Sequence, residues 1–304
     1  DYLKRFSLWA IKTSLSRCGY VPSFVQYTIL YDLQWKVKEK TDIHQVLSPE
    51  EIAEFKSLFA ETMKYMDNNI IQMLPCWPEY KAFFLRMKYG RLPDRLPKKN
   101  DLLLFYENSN FFHLSRCSVT VEFLEIKKDC LHLEGQYVLL GCTEQDNIQF
   151  CVRANEQEYP CTKVENTKSS FFVWDEPLVQ KQRFKADIPL NTGTELHQCQ
   201  IFLILNGHPV RLNALKFGRF SPVSKVFSSS YYCKDGWMLS VSGSTLQIQC
   251  CDRKKQTERE KTFLKELRNS KKASDQKASK ARIAYHILKP LVKKPIWLVS
   301  DRIN

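Results

Sequence analysis

Few residues of this 304-residue chain have the types and spacing of a reactive site. There is no G-x-G-x-x-G, no Walker loop, no G-x-S-x-G and no H-E-x-x-H. The adjacent acids Glu50 and Glu51 open a helix and do not form an acid/base pair. Asp175 and Glu176 precede Pro177 in a turn-like stretch. Eleven cysteines show no C-x-x-C, and their odd number argues against a disulfide framework. Cys130/His132 and His197/Cys199 are isolated pairs without the further ligands of a zinc site. An exposed Trp174 or Trp237 could stack on a sugar; the competing reading is a core aromatic. The chemistry on offer is binding rather than bond-making.

Charge points the same way. The formal net charge is +13, and residues 252–294 hold fifteen Lys/Arg against five Asp/Glu. Lys271, Lys272, Lys277 and Lys280 lie in that segment. Such a stretch could face anionic lipid or nucleic acid, or simply be a solvated helix face. Only Phe263 and Tyr285 interrupt it, so the aromatics that stack bases are missing and no nucleic-acid partner is expected.

These residues need elements to hold them. An apolar fraction of 43% with 12% aromatics is enough to build cores. No apolar run approaches the ~20 residues of a bilayer span, and no signal peptide opens the chain. The chain starts at Asp1 inside helix-like sequence, so both ends read as cut, and the cysteine usage fits a reducing cytosol.

Residues 1–90 read as helices. Leu8, Ile11, Leu15 and Cys18 recur at helical spacing before Gly19. Pro22 opens a helix over 24–39 that is apolar almost all round and is expected to be buried. Tyr27, Tyr31 and Trp35 form one stripe on it, with Asp32 and Gln34 set inside. Ser48, Pro49 and Glu51 are a capping box for the next helix. A last helix from Pro78 to Tyr89 ends at Gly90. Residues 91–100 read as a basic, proline-bearing linker.

The period then changes to two. Leu131, Leu133, Tyr137 and Leu139 alternate with polar residues, as do Ile148, Phe150 and Val152, and Phe184, Ala186 and Ile188. Asn206-Gly207, Asp235-Gly236 and Ser242-Gly243-Ser244 are hairpin signals. Together they predict an antiparallel β-sandwich or barrel over 101–251, able to fold alone. Residues 252–294 return to helical period, with a break near Asn269–Ser270. Ile296-Trp297-Leu298-Val299 is an apolar run of the kind buried in parallel sheets, yet only Ser300–Asn304 follow it. The expected class is a multidomain α+β chain: helices, a β unit, a basic connector, and the first strand, 295–304, of a truncated α/β domain.

Two stretches resemble a known family. KKPIWLVSDRIN (293–304) is similar to the opening of the CDP-glycerol glycerophosphotransferase domain of teichoic-acid-type polymerases, through Pro295, Ile296, Trp297, Leu298, Ser300, Asp301, Arg302 and Asn304. QYTILYDLQWK (26–36) resembles the helical tail of family-2, GT-A-type glycosyltransferase domains fused ahead of such transferases. The β region is similar to their spacer domains. The resemblance implies a GT-B-like fold beyond residue 304. It also implies a parent that moves glycerophosphate, or another polyol phosphate or sugar, from a nucleotide-activated donor to a lipid-linked glycan, peripheral at the cytoplasmic membrane face.

In that frame Asp301 and Arg302 would meet donor phosphates, while Asp32, Gln34 and Trp35 would line the acceptor side. Lys271, Lys272, Lys277 and Lys280 would meet an anionic membrane surface. This segment would need no cofactor, although the parent's glycosyltransferase domain would use a divalent metal. A homo-oligomer stays open. The alternative is a stand-alone glycan-binding or protein-interaction β module with helical flanks.

Overall fold

The computed structural model describes residues 2–273 except 39–42, 144, 166–169, 175, 194–195 and 224–229, and for 170–172, 176–180 and 269–273 only the backbone. The expected strand at 295–304 and the basic residues beyond 273 lie outside the described residues.

The N-terminal region is helical. A π-helical stretch, Leu3–Leu8, runs into α1 (Trp9–Cys18), followed by α2 (Ser23–Lys38), α3 (Pro49–Met63), α4 (Asn68–Met73) and α5 (Pro78–Tyr89). Local signals place the ends. Gly19 and Gly90 adopt the left-handed conformation that closes α1 and α5. At α3 the Ser48 hydroxyl accepts from the Glu51 N–H, and the Glu51 carboxylate accepts from the Ser48 N–H at 2.8 Å. Ile11, Ile29, Leu30, Leu33, Phe59, Met63, Ile71 and Phe84 are fully enclosed in one cluster.

α2 departs from expectation. It buries Gln26, Ile29, Leu30, Leu33, Gln34 and Val37, but Phe24, Tyr31 and Trp35 face outward. Composition alone suggested burial all round; only one face has neighbours to pack against. Gln26 is satisfied inside: its amide donates to Val21 O and to Asp67 Oδ2, both at 2.8 Å, and its carbonyl accepts from Asp67 N at 2.6 Å. These bonds hold α2 to the start of α4.

The strands are β1 (Asp94–Lys98), β2 (Asp101–Tyr106), β3 (Ser109–His113), β4 (Ser118–Ile126), β5 (Cys130–Leu139), β6 (Ile148–Ala154), β7 (Gln157–Pro160), β8 (Thr162–Val164), β9 (Ser170–Val173), β10 (Glu176–Pro189), β11 (His197–Leu205), β12 (His208–Arg211), β13 (Ala214–Phe220), β14 (Tyr231–Lys234), β15 (Trp237–Ser242) and β16 (Thr245–Cys250). Among the described residues they form a small sheet β1-β2-β3 and two larger ones. One runs β13-β4-β5-β10-β8 with β9 on β10; the other runs β14-β15-β16-β11-β6-β7 with β12 on β11.

The two larger sheets share one core. Phe150 of β6 stacks on Phe184 of β10 at 4.6 Å and meets Tyr137 of β5 edge-on at 5.6 Å. Gly135 on β5 leaves room for that ring: a Cβ there would lie 2.8 Å from Phe184 Cζ. Hairpins form at Asn206-Gly207 and Asp235-Gly236, where all four residues have positive φ.

Three further expectations change. The linker 91–100 contains β1, which pairs with β2 from Asp94↔Phe105 to Lys98↔Asp101. Pro97 is tolerated because β1 is an edge strand. Arg95 anchors this strand through two hydrogen bonds to the Asp146 carboxylate, at 2.6 and 2.7 Å, and one to Gly141 O at 2.7 Å. Second, β13 pairs with β4 in parallel. The chain reaches β13 from β12 in the other sheet, with Asn213 N donating to Ser115 O at 2.8 Å, so no hairpin imposes the opposite direction. Third, α6 (Arg253–Ala273) runs unbroken through Asn269 and Ser270. These two residues weaken a helix by only ~0.5 kcal/mol each, and Asp252 caps it by accepting from Lys255 N at 2.7 Å. Phe263 and Leu267 seat α6 on Tyr231 of β14.

The helical and β regions interlock. Trp174, in the two-residue connection between Val173 and Glu176, enters the helical cluster and packs edge-on against Phe55, Phe59 and Phe83 at 4.8, 4.9 and 5.5 Å. Tyr106 stacks on Tyr89 at 4.7 Å. Trp174 and Trp237 are therefore packing residues; Trp237 is buried and donates to Asp129 Oδ1 at 3.1 Å.

Candidate functional site

The outer face of α2 carries the described candidates. Tyr27, Tyr31 and Trp35 occupy successive turns, so their rings form a ladder with centroids 6.1 and 6.3 Å apart. Trp35 is 57% exposed. Lys38, three residues on, lies over its ring with Nζ 4.8 Å from the centroid. The same Nζ is 5.9 Å from the Tyr80 ring and donates to Gln34 Oε1 at 2.8 Å. Tyr80, in the first turn of α5, stacks on Trp77 at 6.3 Å; Trp77, the residue that caps α5, is 70% exposed.

The row Tyr31, Trp35, Lys38, Tyr80, Trp77 thus bridges two helices. The three-residue spacing of Trp35 and Lys38 puts ring and ammonium on one face. Pro78 at the first helical position fixes how Trp77 leaves α5.

Lys38 supplies a cation beside apolar ring faces. Gln34 is buried, with its carbonyl on Lys38 and its Nε2 without a partner. Burial pushes the Cys76 thiol up, with Lys81 and Lys38 pulling it down; burial, then Glu79, raises the Tyr80 hydroxyl. At the other end of the ladder Tyr2 Oη donates to Asp32 Oδ2 at 2.5 Å. Burial first, then that carboxylate, keeps the Tyr2 hydroxyl protonated. Flat rings with one ammonium can hold the C–H faces of a polyol and a phosphate oxygen together.

Of the residues expected from sequence, Gln34 and Trp35 meet at Lys38, whereas Asp32 is committed to Tyr2 at the N-terminal end. Asp301, Arg302, Lys277 and Lys280 lie outside the described residues. Lys271 and Lys272 fall in the last turn of α6, their side chains not described. The structure adds Lys38, Trp77 and Tyr80 to this row, none of which the sequence singled out. Lys38 lay on the recognised stripe at i+3 from Trp35, but the approach of α5 had no local signal. Among the described residues no helix is long and apolar enough to cross a membrane.

The chain is homologous, along nearly all its length, to a protein of teichoic acid biosynthesis, which is the class its terminal and helical motifs resemble. That relative is the minor teichoic acid biosynthesis protein GgaB of Bacillus subtilis (strain 168), 25% identical over 293 residues. The match covers 93% of this chain and 32% of the relative, so the chain spans about a third of that protein's length. The crystal structure of S. aureus TarS aligns at a TM-score of 0.45 with 6% identity, over 83% of this chain and 49% of that one. No protein-family model matches the chain.

Proposed function

We propose that this chain is the scaffold segment of a cell-wall polymer transferase and that its aromatic face receives the growing polymer. The parent moves glycerophosphate, another polyol phosphate or a sugar from a nucleotide-activated donor to a lipid-linked glycan at the cytoplasmic membrane face. The homology to a teichoic acid biosynthesis protein over 93% of the chain carries the reading.

Residues 1–90 are the helical tail of a glycosyltransferase domain, whose divalent metal lies outside this segment. The two facing sheets form a β-sandwich spacer, 101–251. Residues 252–294 connect along an anionic membrane surface, and 295–304 begin a GT-B-like domain in which Asp301 and Arg302 meet the donor. Trp35, Lys38, Tyr80 and Trp77 bind polyol phosphate, and Gln34 orients Lys38. In this reading the segment's part is binding, and transfer belongs to the flanking domains of the parent.

The test mixes the purified chain with CDP-glycerol and vesicles with or without lipid-linked acceptor. We expect greater retention on acceptor-bearing vesicles and no transfer above a blank. Transfer would place a catalytic centre inside the chain; equal retention on both vesicles would remove the acceptor role.

A further inference from the structure

We propose that Cys130, His132 and Asp187 form a binding site for a divalent cation of the zinc class, with a fourth position open to water. The site lies on the outer face of the sheet β13-β4-β5-β10-β8 and does not depend on the transferase reading.

Alternation builds the site. Leu131 and Leu133 are buried in the shared core, so Cys130 and His132 project together from the opposite face. Asp187 of β10 is the direct partner of His132 in the ladder, and Pro189 is the partner of Cys130. Two donors from β5 and one from β10 therefore converge, although Asp187 is 55 residues from His132. One donor atom from each residue lies within 4.8 Å of the others. In tetrahedral zinc sites with bonds of 2.0–2.3 Å, donors sit ~3.5 Å apart, so rotations about side-chain bonds close the site without moving backbone.

The platform is rigid. β5 and β10 pair continuously from Leu139↔Gln180 to Cys130↔Pro189, and Leu190 N closes the end on Asp129 O at 2.8 Å. Sulfur, imidazole and carboxylate donors favour zinc or cobalt over magnesium or calcium, which prefer all-oxygen shells. Glu125, opposite His132 on β4, is held by Lys234 and is not counted as a donor.

Without a cation, His132 Nδ1 and Asp187 Oδ1 share a hydrogen bond of 2.5 Å. Cation binding displaces the thiol proton to solvent and leaves a metal-bound thiolate.

The test is cobalt titration of the chelator-stripped full chain. We expect one site, seen as a thiolate-to-cobalt absorption band that zinc abolishes on displacing the cobalt. Cys130→Ser should remove the band; His132→Ala and Asp187→Asn should each weaken binding at least ~10-fold. Cys233 and Cys251, with sulfurs 3.9 Å apart, are the rival thiol pair, so Cys233→Ser should leave the band intact. Outward-facing variants should melt as the metal-free wild type does; if Cys130→Ser does not, Asp187→Asn decides. No band, a band lost in Cys233→Ser, or unchanged affinity in Asp187→Asn would overturn the proposal.

Discussion

Replacing Trp174 should loosen the helical region even though Trp174 belongs to a β-hairpin. The ring meets Phe55, Phe59 and Phe83 within 5.5 Å, and Phe59 in turn stacks on Phe84 at 5.8 Å. A fully buried Trp→Ala change costs about 3–5 kcal/mol. Trp174 is only partly enclosed, so Trp174→Ala should cost ~2–3 kcal/mol, including edge-on aromatic terms of about 0.5–1.5 kcal/mol each. Its backbone adds a second effect. φ is 50°, a left-handed conformation that disfavours a side chain by about 1–2 kcal/mol. Alanine keeps that strain and glycine relieves it, so Trp174→Gly should be less destabilised than Trp174→Ala by ~1 kcal/mol. The assay is thermal and urea unfolding of the full chain, followed through the helical circular-dichroism signal. At about 2–4 °C per kcal/mol, the alanine variant should melt ~5–10 °C lower. An unchanged helical transition, or a glycine variant weaker than alanine, would refute the reasoning.

Two other predictions concern the β region. Arg95 holds the Asp146 carboxyl well below the usual carboxylate range, with further bonds from Thr143 N and Asn206 Nδ2 at 2.7 and 2.8 Å. A depressed folded value stabilises above the unfolded carboxyl value and loses that contribution as pH falls. Wild type should thus lose stability below about pH 4, and Arg95→Ala should cost ~2 kcal/mol at neutral pH while flattening that acid dependence; an unflattened acid limb argues against the pair. Gly135→Ala drives a Cβ into Phe184 and should cost about 1–3 kcal/mol, partly rescued by Phe184→Leu in a double-mutant cycle. Strict additivity would show that the two positions do not meet.

Local chemistry was readable where one short stretch decides the backbone. Ser48-Pro49-Glu50-Glu51, Gly19, Gly90, Asn206-Gly207 and Asp235-Gly236 each act where sequence places them. The turn before Pro177 was legible, but Trp174 as its left-handed residue was not, because a bulky side chain carries no signal for that conformation and is held there by tertiary packing. The parallel pairing of β13 depends on a crossing between sheets. The candidate sites show the same limit: Trp35 and Gln34 were visible on one helix, but Trp77 and Tyr80 join them only through α5. Cys130 and His132 read as an isolated pair because Asp187 is adjacent in the sheet and distant in the chain.

The most direct test of polymer binding is a tryptophan-fluorescence titration of the chain with short glycerol phosphate oligomers, run beside uncharged glycerol. On the proposed reading, in which Lys38, held over the Trp35 ring, meets the phosphate and the exposed Trp35 and Trp77 rings meet the polyol, wild type should bind the oligomer, weaken as salt rises, and ignore glycerol. Paired Trp35→Ala and Trp77→Ala changes should abolish binding, read by calorimetry, while leaving the melting transition in place. Wild-type binding that survives both substitutions, or no binding of the oligomer by wild type, would contradict the account.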